Sequence, residues 1–252
     1  MGRKQMHTAG TPDRKGGKAL LHQEPMPQGA MGVAKKIGRG IGGWYSKRKA
    51  EGRIRKARSL EHEAERMSSD MRQKYSRVLT VSEFGEVRKM NNDIAGRYIR
   101  AAKLYSLCGM LVSEAECLRS VANLGIDVEG NLLTAIECER KEAVGLARSL
   151  MASRHGKTGV DADSLLHRLR LCYVFMEKEY LHIIRHYALS GPEQISRERK
   201  DEYHALSREC RNEAERIGLF GHMEGAEKIV ERLPEAVAWL ERRAPREMEY
   251  KP

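Results

Sequence analysis

The 252-residue chain carries 46 Lys/Arg against 35 Asp/Glu, a net charge of +11, and is 40% hydrophobic, 32% charged and 6% aromatic. No apolar run reaches the roughly 18–20 residues that a spanning helix needs, and runs of Val, Ile, Thr and aromatics are missing, which argues against membrane helices and against a sheet. The five cysteines (Cys108, Cys117, Cys138, Cys172, Cys210) are odd in number and hold no Cys-x-x-Cys pair, so neither a disulfide framework nor a zinc ribbon is expected, and the chain reads as cytoplasmic.

The charge is unevenly placed. Residues 1–60 hold 15 Lys/Arg and three acids, whereas the other 192 hold 31 basic and 32 acidic side chains. A basic leader on a neutral body implies two parts with different tasks. The leader lacks the apolar centre of a secretory signal. It shares its basic, acid-poor character with mitochondrial presequences, but it is rich in Gly and Pro and has no early amphipathic helix.

Residues 1–45 read as a disordered, basic, Gly-rich arm. Within it Val33, Ile37, Ile41 and Trp44 recur at helical spacing, but each interior glycine costs a helix about 1 kcal/mol, so helix is expected there only on binding. From Ser46 the pattern is firm. Ile54, Ala57, Leu60, Ala64, Met67, Met71, Tyr75 and Val78 mark a first long helix. Thr80 and Glu83 form a capping box for a second, with Phe84, Val87, Ile94, Tyr98, Ala101, Tyr105 and Cys108 as its stripe. Gly109 is read as a break, with Ser113–Glu116 capping the next helix; one helix continuing through Val112 and Leu118 is the alternative. Beyond Gly125, Asp127, Asp163 and the Ser190–Glu193 box (with Pro192 in its first turn) are expected to cap three further helices. The last of these ends near Gly218 or Gly221, and two short helices follow, divided at Pro234. The expectation is an all-α fold: seven or eight antiparallel helices in a hairpin array or bundle over 46–243, then a frayed polar tail, 244–252.

Arg154-His-Gly-Lys157-Thr158-Gly is similar to the end of a phosphate-binding loop, but Met151 stands where the motif needs glycine and a helix precedes it instead of a strand. Glu179, His182 and His186 share one helical face and form the one metal candidate; a second Glu-x-x-His element, as dimetal bundles require, is missing. No catalytic set and no cofactor are expected. Two stretches resemble tetratricopeptide helix hairpins: Tyr98, Ala102, Tyr105 and Gly109 with Ala115, Leu118 and Ala122, and Ala214, Ile217 and Gly221 with Ala226, Val230 and Leu233. The resemblance implies a peptide-binding groove, yet copies at the family's 34-residue period do not fill the space between.

The basic leader carries the functional expectation. Lys35, Lys36, Arg39, Lys47, Arg48, Lys49, Arg53, Arg55 and Lys56 are read as phosphate contacts, and Trp44 as a residue that stacks on a base. The leading reading is a non-catalytic helical scaffold or adaptor. Its arm binds nucleic acid or a ribonucleoprotein largely without sequence specificity, and its body binds another protein or itself. The alternatives are a peripheral adaptor on an anionic membrane, through the same arm, then a metal-dependent helical enzyme or a peptide binder.

Overall fold

The computed structural model describes residues 41–76, 80–153, 161–191, 195–223 and 226–242, with side chains described outside 41–45, 153, 219–232 and 242. Among these residues there are seven α-helices and no strand: α1 (Ile41–Lys74), α2 (Val81–Ser106), α3 (Leu111–Asn123), α4 (Val128–Ser153), α5 (Ala162–Ser190), α6 (Arg197–Met223) and α7 (Ala226–Arg242). The chain divides into two compact units, residues 1–47 and 48–252. The packing described below belongs to the second. The fold is all-α, as the periodicity indicates. The tail 244–252 and the Arg154–Gly159 loop lie outside the described residues, as do residues 1–40 of the arm; α1 begins at Ile41, five positions ahead of the expected start.

Local chemistry sets most helix ends. At α2 the Thr80 hydroxyl accepts from the Glu83 amide at 3.4 Å and the Glu83 carboxylate accepts from the Thr80 amide at 2.8 Å, completing the expected capping box. Gly109 does break the chain direction. Its φ of +68° suits glycine, and the Met110 amide returns to the Tyr105 carbonyl at 3.1 Å. Gly125, at φ +75°, makes the next turn. Close approach, not φ, accounts for Gly130, since a Cβ there would stand 2.5 Å from the Asp127 carboxylate.

Four expected boundaries are corrected. Ser113 is already inside α3, whose start at Met110 has no side-chain cap, because the turn at Gly109 sets it. α5 is capped by Asp161, which accepts from the Asp163 amide at 3.1 Å; in an Asp-x-Asp sequence either acid satisfies the capping pattern. Ser190 ends α5 instead of opening α6, which is capped by the Ser196 hydroxyl accepting from the Arg199 amide at 3.2 Å. α6 ends at Met223, two positions past Gly221 and close to the expected end, whereas α7 is one helix with Pro234 inside it instead of two short ones. Proline costs a helix interior about 3 kcal/mol, but Pro234 is exposed while Leu233, Val237 and Leu240 are buried on the other side, so packing holds the helix together.

Hydrogen bonds and ion pairs show the antiparallel order. Along α1 toward its N-terminus, partners advance along α2: Tyr75 with Glu86, Glu63 with Arg97, Glu61 with Tyr105 and Ala50 with Cys108. In the same way Glu142 meets Arg168, Glu129 meets Tyr187, and Glu177 meets Arg211, placing α4, α5 and α6 side by side in alternating direction. The core has two apolar clusters. One joins α1, α2 and α3 to Ala135 and Cys138 of α4, and also holds Cys117. The other joins α4, α5, α6 and α7 and holds Cys172 and Cys210. α4 therefore faces both.

Candidate nucleic-acid interface

Between Arg48 and Arg58, α1 turns its small residues to the body. Ala57 is fully buried, Ala50 and Ile54 are half-buried, and the Cys108 thiol donates to the Ala50 carbonyl at 3.7 Å. At about 100° per residue, the row opposite is Arg48, Gly52, Arg55, Ser59 and His62, all exposed. Exposed Lys49 and Lys56 stand on one shoulder of that row and exposed Arg58 on the other, with Arg53 half-buried at the base. The stretch from Arg48 to Arg58 is about 15 Å long, and its one acid is Glu51.

The density of its cations sets this stretch apart from the body, with six Lys/Arg against one acid over residues 48–58. Elsewhere some arginines are paired across helices: Arg97 with Glu63 at 3.0 Å, Arg211 with Glu177 at 2.6 Å, Arg199 with Glu129 at 2.6 Å and Arg168 with Glu142 at 2.5 Å. Exposed Arg66, Arg72, Arg88, Arg100, Arg170, Arg185 and Arg208 are scattered along the body without an ion-pair partner among the described residues. No carboxylate among the described residues lies within ion-pair distance of Lys49, Arg53, Arg55, Lys56 or Arg58. Lys47, also exposed, sits on the same helix. Trp44 lies in the first turns of α1 with its side chain outside the description, and Lys35, Lys36 and Arg39 lie outside the described residues.

Glu179, His182 and His186 have other surroundings. The Glu179 side chain is buried and accepts from Arg119 Nη1 at 2.6 Å, while Glu139, equally buried, accepts from the same nitrogen at 3.0 Å. Phe175 covers the guanidinium, whose Cζ lies 4.6 Å from the ring centroid. Burial pushes Glu179 up to about 8 and raises Glu139; Arg119 opposes the rise in both, and Glu139 adds to it at Glu179. Burial lowers His182, with further contributions from His186 and Arg185, and the His186 ring meets Tyr187 edge-on at 5.7 Å. No group of three or more His, Cys, Asp or Glu that could hold a metal ion occurs among the described residues.

Arg119 and Glu139 escape sequence reasoning because they lie 60 and 40 positions from Glu179. The usable signal is Glu179 itself, a charged residue at a stripe position between buried Met176 and Ile183. A second polar cluster, also missed, lies where α4, α5 and α6 meet: the Glu129 carboxylate accepts from the Tyr187 hydroxyl, from the Tyr203 hydroxyl at 2.5 Å, and from Arg199 at 2.6 Å. Both clusters hold helices together.

The first tetratricopeptide-like stretch is a helical hairpin in which Tyr98, Ala102 and Tyr105 are buried in one cluster with Ala115 and Leu118, while Ala122 is buried in the other. In the second, Pro234 falls inside α7 and not after it. No helix among the described residues is long and apolar enough to cross a membrane. Comparison with models of known families, with curated proteins and with solved structures gives no match for this chain.

Proposed function

We propose that the protein is a non-catalytic helical scaffold or adaptor that binds nucleic acid or a ribonucleoprotein through its basic segment, residues 1–60. One observation supports this above the others: the N-terminal half of α1 crowds its cations, with Lys49, Arg53, Arg55, Lys56 and Arg58 inside ten residues that hold one acid, Glu51, and with no carboxylate among the described residues at ion-pair distance from those five. Such cations gain free energy from a phosphate backbone by releasing its condensed counterions. A guanidinium already satisfied by a buried or half-buried carboxylate gains much less. Exposed Val81 and Phe84, at the start of α2, give the body an apolar surface for a protein partner.

The test is fluorescence anisotropy of a labelled structured RNA with the full-length protein across a salt series. Affinity should fall linearly on a log–log plot, and the triple variant Lys49→Glu, Arg55→Glu, Lys56→Glu should lose most of it while keeping the wild-type unfolding midpoint. Absence of binding by the wild type to this RNA and to duplex DNA alike overturns the reading. Binding to anionic vesicles that survives high salt would put the membrane reading in its place.

A further inference from the structure

The shape of the basic stretch says which nucleic acid it fits. This inference rests on the proposed function and narrows it. A flexible polycation would accept any phosphate chain, but Arg48–Arg58 is a helix fixed to the body by Ala50, Ile54 and Ala57. Its cations do not form a single file. Arg48 and Arg55 stand on the crest, Lys49 and Lys56 on one shoulder, and Arg58, next to half-buried Glu51, on the other. A single strand offers one row of phosphates, which that arrangement would engage on one side only. Binding to single strands also relies on aromatic side chains on which bases stack, and there are none between Arg48 and Arg58.

Two phosphate rows either side of a trough match the arrangement better. The major groove of B-form DNA is about 12 Å wide and about 8.5 Å deep and admits an α-helix, whose diameter with side chains is about 10–12 Å. The crest is built to enter such a groove. It alternates arginine with small residues, Arg48, Gly52, Arg55, Ser59, and a Cβ placed on Gly52 would meet nothing within 4 Å. Packing inside the protein therefore does not require glycine at 52, and glycine disfavours the helix by about 1 kcal/mol. Clearance on the outer face is what Gly52 and Ser59 supply. A-form RNA duplexes have a major groove too deep and narrow for side chains to read.

We infer that the Arg48–Arg58 segment of α1 docks lengthwise in the major groove of duplex DNA, with Arg48 and Arg55 over the groove floor and Lys49, Lys56 and Arg58 on the flanking phosphates. The neutral residues of the crest then matter as much as the charges, which pure charge attraction does not predict.

The experiment measures full-length protein by anisotropy on a 30-base-pair DNA duplex, an RNA duplex of the same length and a single-stranded RNA. The variants are Gly52→Trp, Ser59→Trp and Lys49→Gln/Lys56→Gln, each checked by thermal unfolding. Duplex DNA is expected to bind tightest. The tryptophan variants, with charge unchanged, should weaken it at least tenfold and leave single-stranded RNA unaffected; the glutamine pair should reduce the salt slope by about 2, one phosphate contact each. Equal affinity for the three nucleic acids, or tryptophan variants that bind duplex DNA like the wild type, overturns groove docking and leaves the broader reading standing. Failure to bind any of the three overturns both.

Discussion

Glu139 and Glu179, from α4 and α5, share a single nitrogen, Nη1 of Arg119, at 3.0 and 2.6 Å. Two buried carboxyls on one guanidinium carry more negative charge than it neutralises, and Oε2 of Glu179 has no hydrogen-bond partner. The proton therefore stays on Glu179, which is pushed up to about 8. With the folded value raised above the ordinary carboxyl value of 4.5, the folded state binds more protons than the unfolded chain between these limits. Stability falls as pH rises from about 4.5 to about 8 and is then level. Glu179→Gln mimics the protonated acid. Its melting temperature should match the wild type near pH 5 and exceed it by a growing margin up to pH 8. Equal melting curves at pH 8 would contradict this assignment.

Removing the guanidinium has the opposite pH sense. Arg119→Leu leaves two buried carboxyls without their donor, a change of about 3–5 kcal/mol when they are charged. The loss should be largest at pH 8 and shrink as the pH falls towards 5, because burial raises both carboxyls and their protonation removes the uncompensated charge. Denaturant midpoints of the variant across that range provide the check.

In the α1–α2 hairpin, the Tyr105 hydroxyl donates to the Glu61 carboxylate at 2.7 Å, and the ring is almost fully buried. A hydrogen bond to a charged acceptor contributes about 1.5–3 kcal/mol. Tyr105→Phe should lower the unfolding free energy by that amount, read as a lower urea midpoint at an unchanged m-value.

Glycines separate by conformation. Gly109 and Gly125 sit at φ +68° and +75°, where a Cβ is unfavourable by about 1–2 kcal/mol, so alanine at either should destabilise by that much. Gly52 lies within a helix with open space around it, so Gly52→Ala should stabilise by up to about 1 kcal/mol. Thermal unfolding of the three variants reads both signs.

Arginines separate by partner. Arg55→Gln should reduce the salt slope of nucleic-acid binding by about 1 and leave stability unchanged. Arg211→Gln, which breaks the pair with Glu177 at 2.6 Å, should leave the slope alone and lower stability by less than about 1 kcal/mol, since the pair is partly exposed.

The helices were legible in the sequence because each buries a stripe, and a stripe is a local pattern. Ile94, Tyr98, Ala101 and Tyr105 sit in the core as their spacing indicates. Ends were less legible. Asp161 and Asp163, or Ser190 and Ser196, offer the same capping chemistry a few residues apart, and tertiary packing selects between them. Pro234 reads as a breaker until Leu233, Val237 and Leu240 are seen to hold its helix against the body. Glu179 looked like a ligand beside His182 because spacing along one helix is visible; its actual partner, Arg119, lies 60 positions away and leaves no trace in spacing. In the basic segment the charges were plain from composition, whereas the lack of carboxylate partners for Lys49, Arg53, Arg55, Lys56 and Arg58 is a fact of packing.

The buried thiols give the protein two internal clocks. Burial pushes Cys117 and Cys138 up to about 12 in the cluster around α1–α3, and Cys210 up to about 12, beside a similarly raised Cys172, in the cluster around α4–α7. A thiol so held is unreactive until the layer over it opens. Alkylation of each pair, followed by peptide mass, therefore times the opening of each half separately, without any label being introduced. Occupancy of α1 by a ligand should slow the first clock and leave the second running at its own rate.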